Sequence, residues 1–344
     1  MEKMKWNKST NLFLLLLMTM ILVLAGCGST ESSTKPKSEG TETNANKALT
    51  KITYAQLSPD LTDIHTEFAI EKGIYKRNGI DLKVLHFEGG GPEALAAVAG
   101  GDIQMGNFGT PILTGISKGV PMKVVASPAI VDNPFVLVGG KNVRKVADVK
   151  GKVLGTGKLG GGTYQATLKI LEENGIDEKE TDIRPVGGVD AFQLIKQGTV
   201  DAIVTTEPSV TRIERAGIGK SIVEAADLEV FQNYQHSFVF ATNDIIKNNP
   251  DAVRAVLKGH KEAIAYAKSH PDELITYASK KLGYEEELVR DYYNKFFDTW
   301  VDDGSVNVEG TLKAFEVLKE VKEVDSDYDT NEKNWFDSRF LENK

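Results

Sequence analysis

The sequence predicts an α/β fold of two lobes in which most strands run parallel. Three observations lead there. From Lys51 onward, short apolar runs alternate with stretches of helical period, the pattern of parallel strands joined by helical crossovers. One stretch is echoed later in the chain. Leu95-Ala-Ala-Val-Ala-Gly-Gly-Asp102-Ile103 and Phe192-Gln-Leu-Ile-Lys-Gln-Gly-Thr-Val-Asp201-Ala202 each give an amphipathic helix, a glycine break, an aspartate and a short buried strand. Lastly, the 344 residues leave about 300 for folding once a leader and a polar tether are set aside, enough for two ordinary domains. Helix–glycine–strand joints recur in all α/β proteins, so chance remains open as the source of the echo. Read as paired lobes, both copies end at the carboxyl end of a strand, where open α/β sheets bind ligands. Two such mouths facing each other make a cleft.

The chain begins with a basic head (Lys3, Lys5, Lys8) and an apolar run over 12–24 broken only by Thr19. That run falls short of the roughly 20 apolar residues that span a bilayer comfortably, and it ends in small residues, as a secretory leader over 1–26 does. Leu24-Ala25-Gly26-Cys27 resembles the lipobox of bacterial lipoproteins, in which the cysteine is diacylated and becomes the new N-terminus. The plainer alternative is an ordinary leader or single anchor with an incidental cysteine. Cys27 is the only cysteine, so no intramolecular disulfide is available and stability rests on the core. The rest of the segment 27–47 is Ser, Thr, Glu, Lys, Asn and Gly with almost nothing apolar. It buries too little to offset its ordering entropy and reads as a tether.

The elements follow in order. A strand over 52–56 leads to a helix over 63–72, with Asp63 as its N-cap and Gly73 closing it. A strand over 80–87 precedes a helix over 92–99 that starts on proline, whose missing N–H costs little there. Strand 103–106, helix 111–118 and strand 122–127 complete the first series. The second runs through strand 152–155, a helix over 163–174 closed by Gly175, strand 181–186, helix 189–197, strand 202–205 and helix 208–216. After a strand over 238–241 the pattern turns helical: 250–269, 271–281, 285–296 and 308–321.

Charge narrows the function. Lys and Arg number 41 against 49 Asp and Glu, a net charge of −8 with no basic cluster. That argues against nucleic acid and against a polybasic hold on anionic lipid.

Four segments carry a family resemblance: "GIYKRNGIDLKV", "GGGPEALAAVAGGDIQMGNFGTPILTGISKGVPMKVVA", "VADVKGKVLGTG" and "QGTVDAIVTTEP". With the lipobox and tether, they resemble the extracytoplasmic solute-binding proteins of ABC importers, in the nitrate/sulfonate/taurine group that also includes thiamine-pyrimidine binders. The resemblance runs from about Lys51 to beyond Asp251. It implies a periplasmic-binding-protein-like fold of type II, with mixed, mostly parallel sheets flanked by helices and a ligand clamped between lobes. Lobe one would comprise 48–138 and 240–344, and lobe two 139–239. Implied partners are a small-molecule solute, a membrane permease and its ATPase. The protein would be a monomer held by its lipid on the outer face of the cell membrane, with no cofactor.

Candidate ligand contacts come from loops at strand ends. The stretch Gly155-Thr-Gly-Lys-Leu-Gly-Gly-Gly-Thr163-Tyr164 opens a helix after a strand, so amides at Gly161 and Gly162 would approach an anion. Thr163 would add a hydroxyl and Tyr164 a ring face or O–H. A plain βα turn is the competing reading. The same glycines satisfy a dinucleotide fingerprint, but a lone match is weak and an exported chain has little access to NAD. In lobe one, Gln56 ends the first strand, Ser58 to His65 lead into the first helix, and Asn107-Phe108-Gly109-Thr110 precedes another helix. The resemblance places family contacts at that Gly-Thr-Pro stretch. His65 either bonds the ligand or is merely solvated. Glu207 would suit a ligand ammonium or ring N–H; alternatively it complements its own helix dipole, or is captured by Arg212 or Arg215.

His86, His236, His260 and His270 show no metal-ligand spacing, and no Gly-x-Ser-x-Gly elbow occurs. No catalytic or metal site is predicted. Solute binding for import is the leading expectation, with an exported two-lobed α/β enzyme and a lipoprotein sensor as rivals.

Overall fold

Two five-stranded sheets repeat one topology. The computed structural model describes residues 48–57, 60–129, 134–187 and 190–341. The expected leader, Cys27, the tether and Ser58 lie outside them. The first series is β1 (Thr50–Leu57), α1 (Ile64–Glu71), α2 (Ile74–Arg77), β2 (Ile80–Phe87), α3 (Gly91–Ala99), β3 (Met105–Phe108), α4 (Pro111–Ser117) and β4 (Met122–Ala126). The chain then crosses to β5 (Val136–Gly140), β6 (Val153–Thr156), α5 (Gly162–Glu173), β7 (Asp182–Pro185), α6 (Ala191–Gln197), β8 (Ala202–Thr205), α7 (Ser209–Arg215) and β9 (Gly219–Glu224). It returns through β10 (Phe238–Thr242) and continues as α8 (Asn243–Asn248), α9 (Pro250–Ser269), α10 (Pro271–Leu282), α11 (Glu286–Phe296), α12 (Val308–Glu320) and α13 (Glu332–Trp335).

Sheet one has the order β2-β1-β3-β10-β4 and sheet two the order β7-β6-β8-β5-β9. In each, the fourth strand runs antiparallel to both neighbours, while β1 pairs in parallel with β2 and β3, and β6 with β7 and β8. That antiparallel strand is the first one formed after the chain crosses between sheets. Residues 138 and 139, where the lobe division was expected, sit in mid-strand in β5, and 239 and 240 in mid-strand in β10.

The sequence echo is a structural one, with a shift of two residues in its alignment. Met105 pairs with Tyr54 of β1 as Ala202 pairs with Leu154 of β6, so Gln104, not Asp102, is the counterpart of Asp201. The chemistry agrees. Gln104 Oε1 accepts the amide of Thr53 at 2.8 Å, and Asp201 Oδ2 that of Val153 at 2.9 Å. Each closes the start of a central strand with a side-chain oxygen. The glycine break matches as well, because Gly101 and Gly198 both hold left-handed backbone, at φ of 92° and 68°.

The remaining differences from expectation are local. The third strand forms at Met105–Phe108, later than 103–106. β5 and β9 were not foreseen. Asp63 does occupy the N-cap of α1, but its carboxylate makes no cap bond and instead accepts from Asn107 Nδ2 at 2.7 Å.

One hydrophobic core runs beneath both sheets, joining Ala55, Phe108 and Phe240 to Leu137, Leu154 and Ala202. Separate cores lie under α9, among the helices around Trp300, and under α6 and α7. Each fully buried large apolar side chain contributes roughly 1.5–3 kcal/mol relative to exposure. The crossing segments are tied by Gln235, fully buried, whose Nε2 donates to Ser127 Oγ at 3.0 Å and to the Ser237 carbonyl at 2.8 Å.

Candidate functional site

A cleft of about 1040 Å³ opens between the two sheets, at the carboxyl ends of β1, β2, β6 and β8. Both lobes and both crossing segments supply its walls. Leu57, Phe87 and Tyr284 line it from the first lobe, Phe135 and His236 from the crossings, and Phe192 and Arg212 from the second lobe.

Four of the expected contacts line this cavity: Gly109, Gly161, Gly162 and Thr163. The last three belong to the loop between β6 and α5. The first amides of a helix have no intrahelical acceptor, so Gly162 and Thr163 offer N–H groups at the positive end of a twelve-residue helix. Thr163 Oγ1 accepts the Gly157 amide at 3.0 Å, which spends a lone pair and leaves its O–H as a donor. That turn needs glycine at 157, since a Cβ there would stand 2.0 Å from Thr163 Oγ1.

The other expected contacts are placed elsewhere. Gln56 is buried, donating from Nε2 to Thr66 Oγ1 at 3.1 Å and to Asn107 Oδ1 at 2.9 Å. With the Asn107–Asp63 bond this makes a closed amide–carboxylate network within the first lobe. Phe108 is core, packed edge-on to Phe240. Thr110 is fully buried and donates across the lobes to Gln165 Oε1 at 2.7 Å, while Gln165 Nε2 donates to Glu323 Oε2. His65 is turned inward against Trp300, ring centroids 4.6 Å apart, with Nδ1 3.1 Å from the Thr62 carbonyl. Tyr164 is half-buried and is not among the residues lining the cavity, and burial with nearby Glu178 and Glu323 raises its phenol pKa.

Glu207 follows its helix-capping alternative. Its Oε2 accepts the Thr211 amide of α7 at 3.0 Å, and its Oε1 lies 3.8 Å from Lys295 Nζ. Arg212 and Arg215 pair with other groups: Arg212 Nη1 donates to Asp190 Oδ1 at 2.9 Å, and Arg215 pairs with Asp291.

The cavity contains residues that motif reading passed over. Arg212 is held between rings from opposite lobes, 4.7 Å from the Phe192 centroid and 5.4 Å from that of Tyr284. Lys158, a cation on the glycine loop, also lines the cleft and shares a corner with Glu93, since a Cβ at Gly89 would stand 2.6 Å from Lys158 Nζ and 2.1 Å from Glu93 Oε2. His236, which shows no metal-ligand spacing in the sequence, lines the cleft from the crossing segment. It stands edge-on to Phe135, centroids 5.0 Å apart and 88° between planes, and burial lowers its pKa to about 4, so the ring is neutral at pH 7. Only a signal linking the crossing segment to both strand-end loops would have found it. Asp60 lines the first-lobe wall, where burial raises its pKa against the pull of its bonds from the Asp63 and Thr62 amides.

In charge, the cleft is mixed, with Asp60, Glu88 and Glu285 facing Lys158, Arg212 and Arg215. Such a lining offers charged and polar groups from both lobes. Among the described residues no group of three or more His, Cys, Asp or Glu is placed to hold a metal ion.

Residues 64–274 match the profile of the family described as NMT1/THI5 like. The chain is 24% identical over 201 residues to the taurine-binding periplasmic protein of Escherichia coli K12, a match spanning 57% of this chain and 61%, under two thirds, of that protein. Among solved structures, the periplasmic nitrate-binding protein of Synechocystis PCC 6803 superposes with a TM-score of 0.68 at 18% identity, covering 83% of this chain and 85% of that one. The periplasmic aliphatic sulphonate-binding protein of Escherichia coli gives a TM-score of 0.64 at 21% identity, covering 83% and 96%. At such identities the likeness shows the fold, which is that of periplasmic binding proteins.

Proposed function

The chain belongs to the NMT1/THI5 like family, and from that premise we propose that it is the solute-binding component of an ABC importer. It captures a small polar solute, in the range of sulfonates, taurine, nitrate-like anions and pyrimidines, and delivers it to a membrane permease with its ATPase. The observation that carries this reading is the cleft itself, lined from both lobes and from the segments that join them. A solute touching both lobes stabilises their closed arrangement, and that arrangement is what a permease can distinguish. Catalysis has no part in the proposal.

In the same reading Cys27 is the lipidated N-terminus of the mature protein, residues 27–47 are the tether, and the body works as a monomer outside the cell membrane. The lobes comprise 48–138 with 240–344, and 139–239. Native mass spectrometry after gentle purification tests the function: one solute per chain, released unchanged on unfolding, is expected. Chemical conversion of that solute by the pure protein overturns the reading in favour of an enzyme. For the anchor, Cys27→Ser should free the protein from membranes or leave its leader uncut. Membrane retention of a correctly cleaved Cys27→Ser protein would count against lipidation.

A further inference from the structure

His236 lies on the segment crossing from β9 to β10, where both lobes meet it. A Cβ at Gly109 of the first lobe would stand 2.9 Å from His236 Cε1, and one at Gly162 of the second lobe 2.8 Å from the same atom. A Cβ at Gly162 would also fall 2.9 Å from Phe135 Cε2. Real Cβ contacts are not that close, so the two glycines make room for the imidazole and its aromatic partner. The half-buried ring is fixed on three sides, and no hydrogen-bond partner for its nitrogens occurs among the described residues. Its polar edge is left to whatever occupies the cleft.

Resting on the importer reading, we propose that His236 with Phe135 is the specificity-determining contact of the cleft, selecting a solute with a flat aromatic ring and an anionic group over bare or aliphatic anions. Aromatic pairs favour edge-on and offset geometries that add to simple burial, and the Phe135–His236 pair presents one ready-made surface of that kind. More ring surface faces the same space from Phe87, Phe192 and Tyr284. The cavity, about 1040 Å³, is of the size that encloses drug-like ligands, whose pockets run roughly 300–1,000 Å³. For the anionic group the cleft offers Lys158 and the leading amides of α5. The neutral imidazole adds one donor and one acceptor.

The test is calorimetric titration of the folded, solute-free protein with benzenesulfonate and with taurine. Benzenesulfonate is expected to bind about tenfold or more tightly than taurine, the scale of one good aromatic contact. His236→Ala should remove that preference by weakening benzenesulfonate alone. Gly162→Ala, whose Cβ would crowd both His236 and Phe135, should likewise weaken benzenesulfonate. Equal or tighter binding of taurine, binding of neither probe, or unchanged benzenesulfonate affinity in folded His236→Ala protein overturns the proposal. Should the variants not fold, ring-labelled histidine NMR of the unsubstituted protein decides. Benzenesulfonate is expected to shift the His236 resonances, and their failure to move overturns it. A co-purifying aliphatic solute would sink this inference and leave the importer reading intact, whereas turnover would sink the importer reading itself.

Discussion

The Tyr54 hydroxyl lies 2.9 Å from Nε2 of His260, where the first strand of the chain meets helix α9. The other ring nitrogen, Nδ1, is 3.0 Å from the Tyr75 hydroxyl. Both nitrogens are thus used by buried hydroxyls, and a second proton would place a positive charge away from water. Burial lowers the His260 pKa to about 3 and that of His65 to about 4.

A definite pH dependence follows. Between the folded values and the ordinary 6.5, the unfolded chain binds protons that the folded chain refuses. The histidine contribution is therefore fully present above pH 6.5 and is lost as pH falls toward 4, by about 1.4 kcal/mol per pH unit for each such histidine. Urea denaturation at pH 7, 6 and 5 should give a stability–pH slope that is lower in His260→Gln than in the unsubstituted protein by about one proton. Parallel slopes in the two proteins would refute it.

Asp63 acts in the opposite direction. Burial, then the neighbouring Asp60 charge, push its pKa up to about 8, although Asn107 bonds to it. Between about 4 and 8 the unfolded chain holds fewer protons at this site, so stability falls as pH rises through that window. Asp63→Asn keeps an acceptor for Asn107 and removes the titration. It should stabilise the protein at pH 7, with a gain that grows by up to about 1.4 kcal/mol per unit between pH 5 and pH 8. A gain that shrinks with rising pH would contradict the assignment.

Gln235 should be costly to lose. Besides Ser127 and Ser237, its Oε1 accepts the Asn307 amide at 3.2 Å. Gln235→Ala leaves buried polar groups unpartnered, which costs about 1–3 kcal/mol. Denaturant midpoints of the purified proteins measure it, and a loss under half a kcal/mol would show that water replaces the amide.

Arg215 tests the outer lip of the cleft. It pairs from α7 with Asp291 of α11, and all three polar groups are well exposed with Glu287 nearby. Exposed pairs contribute about 0–1 kcal/mol, so Arg215→Ala should barely change stability. Spin labels on α7 and α11 should nonetheless report a wider separation in the solute-free variant. An unchanged distance distribution would mean that these pairs do not hold the lips together.

What could be read from sequence depended on whether a signal was local. The helices and the parallel strands carry their own periodicity, and Gly73 and Gly175 hold the left-handed backbone expected where helices end. β5 ends in Gly139 and Gly140, and β9 is a half-exposed run of mixed polarity. Both become strands because a neighbour pairs with them. The site divides in the same way. Gly161, Gly162 and Thr163 announce a loop facing the cleft, whereas Tyr284 and His236 reach it from segments whose role is set by the crossing topology. The Thr110–Gln165 and Gln56–Asn107 pairs turn expected ligand contacts into internal bonds, and no spacing in the chain foretells a partner so distant.

The antiparallel strand β10 has a consequence for the order of events as the chain is made. It belongs between β3 and β4, yet Phe238 is synthesised long after Ala126. Every strand of sheet two, in contrast, lies in one uninterrupted stretch from β5 to β9. The later-made half has all it needs to close upon itself, while the earlier-made half waits with a gap in the middle of its sheet. Contacts across short stretches form ahead of those that must close long loops. The half made first is thus the last to complete its sheet, since β3 and β4 lack the strand between them until β10 pairs with both.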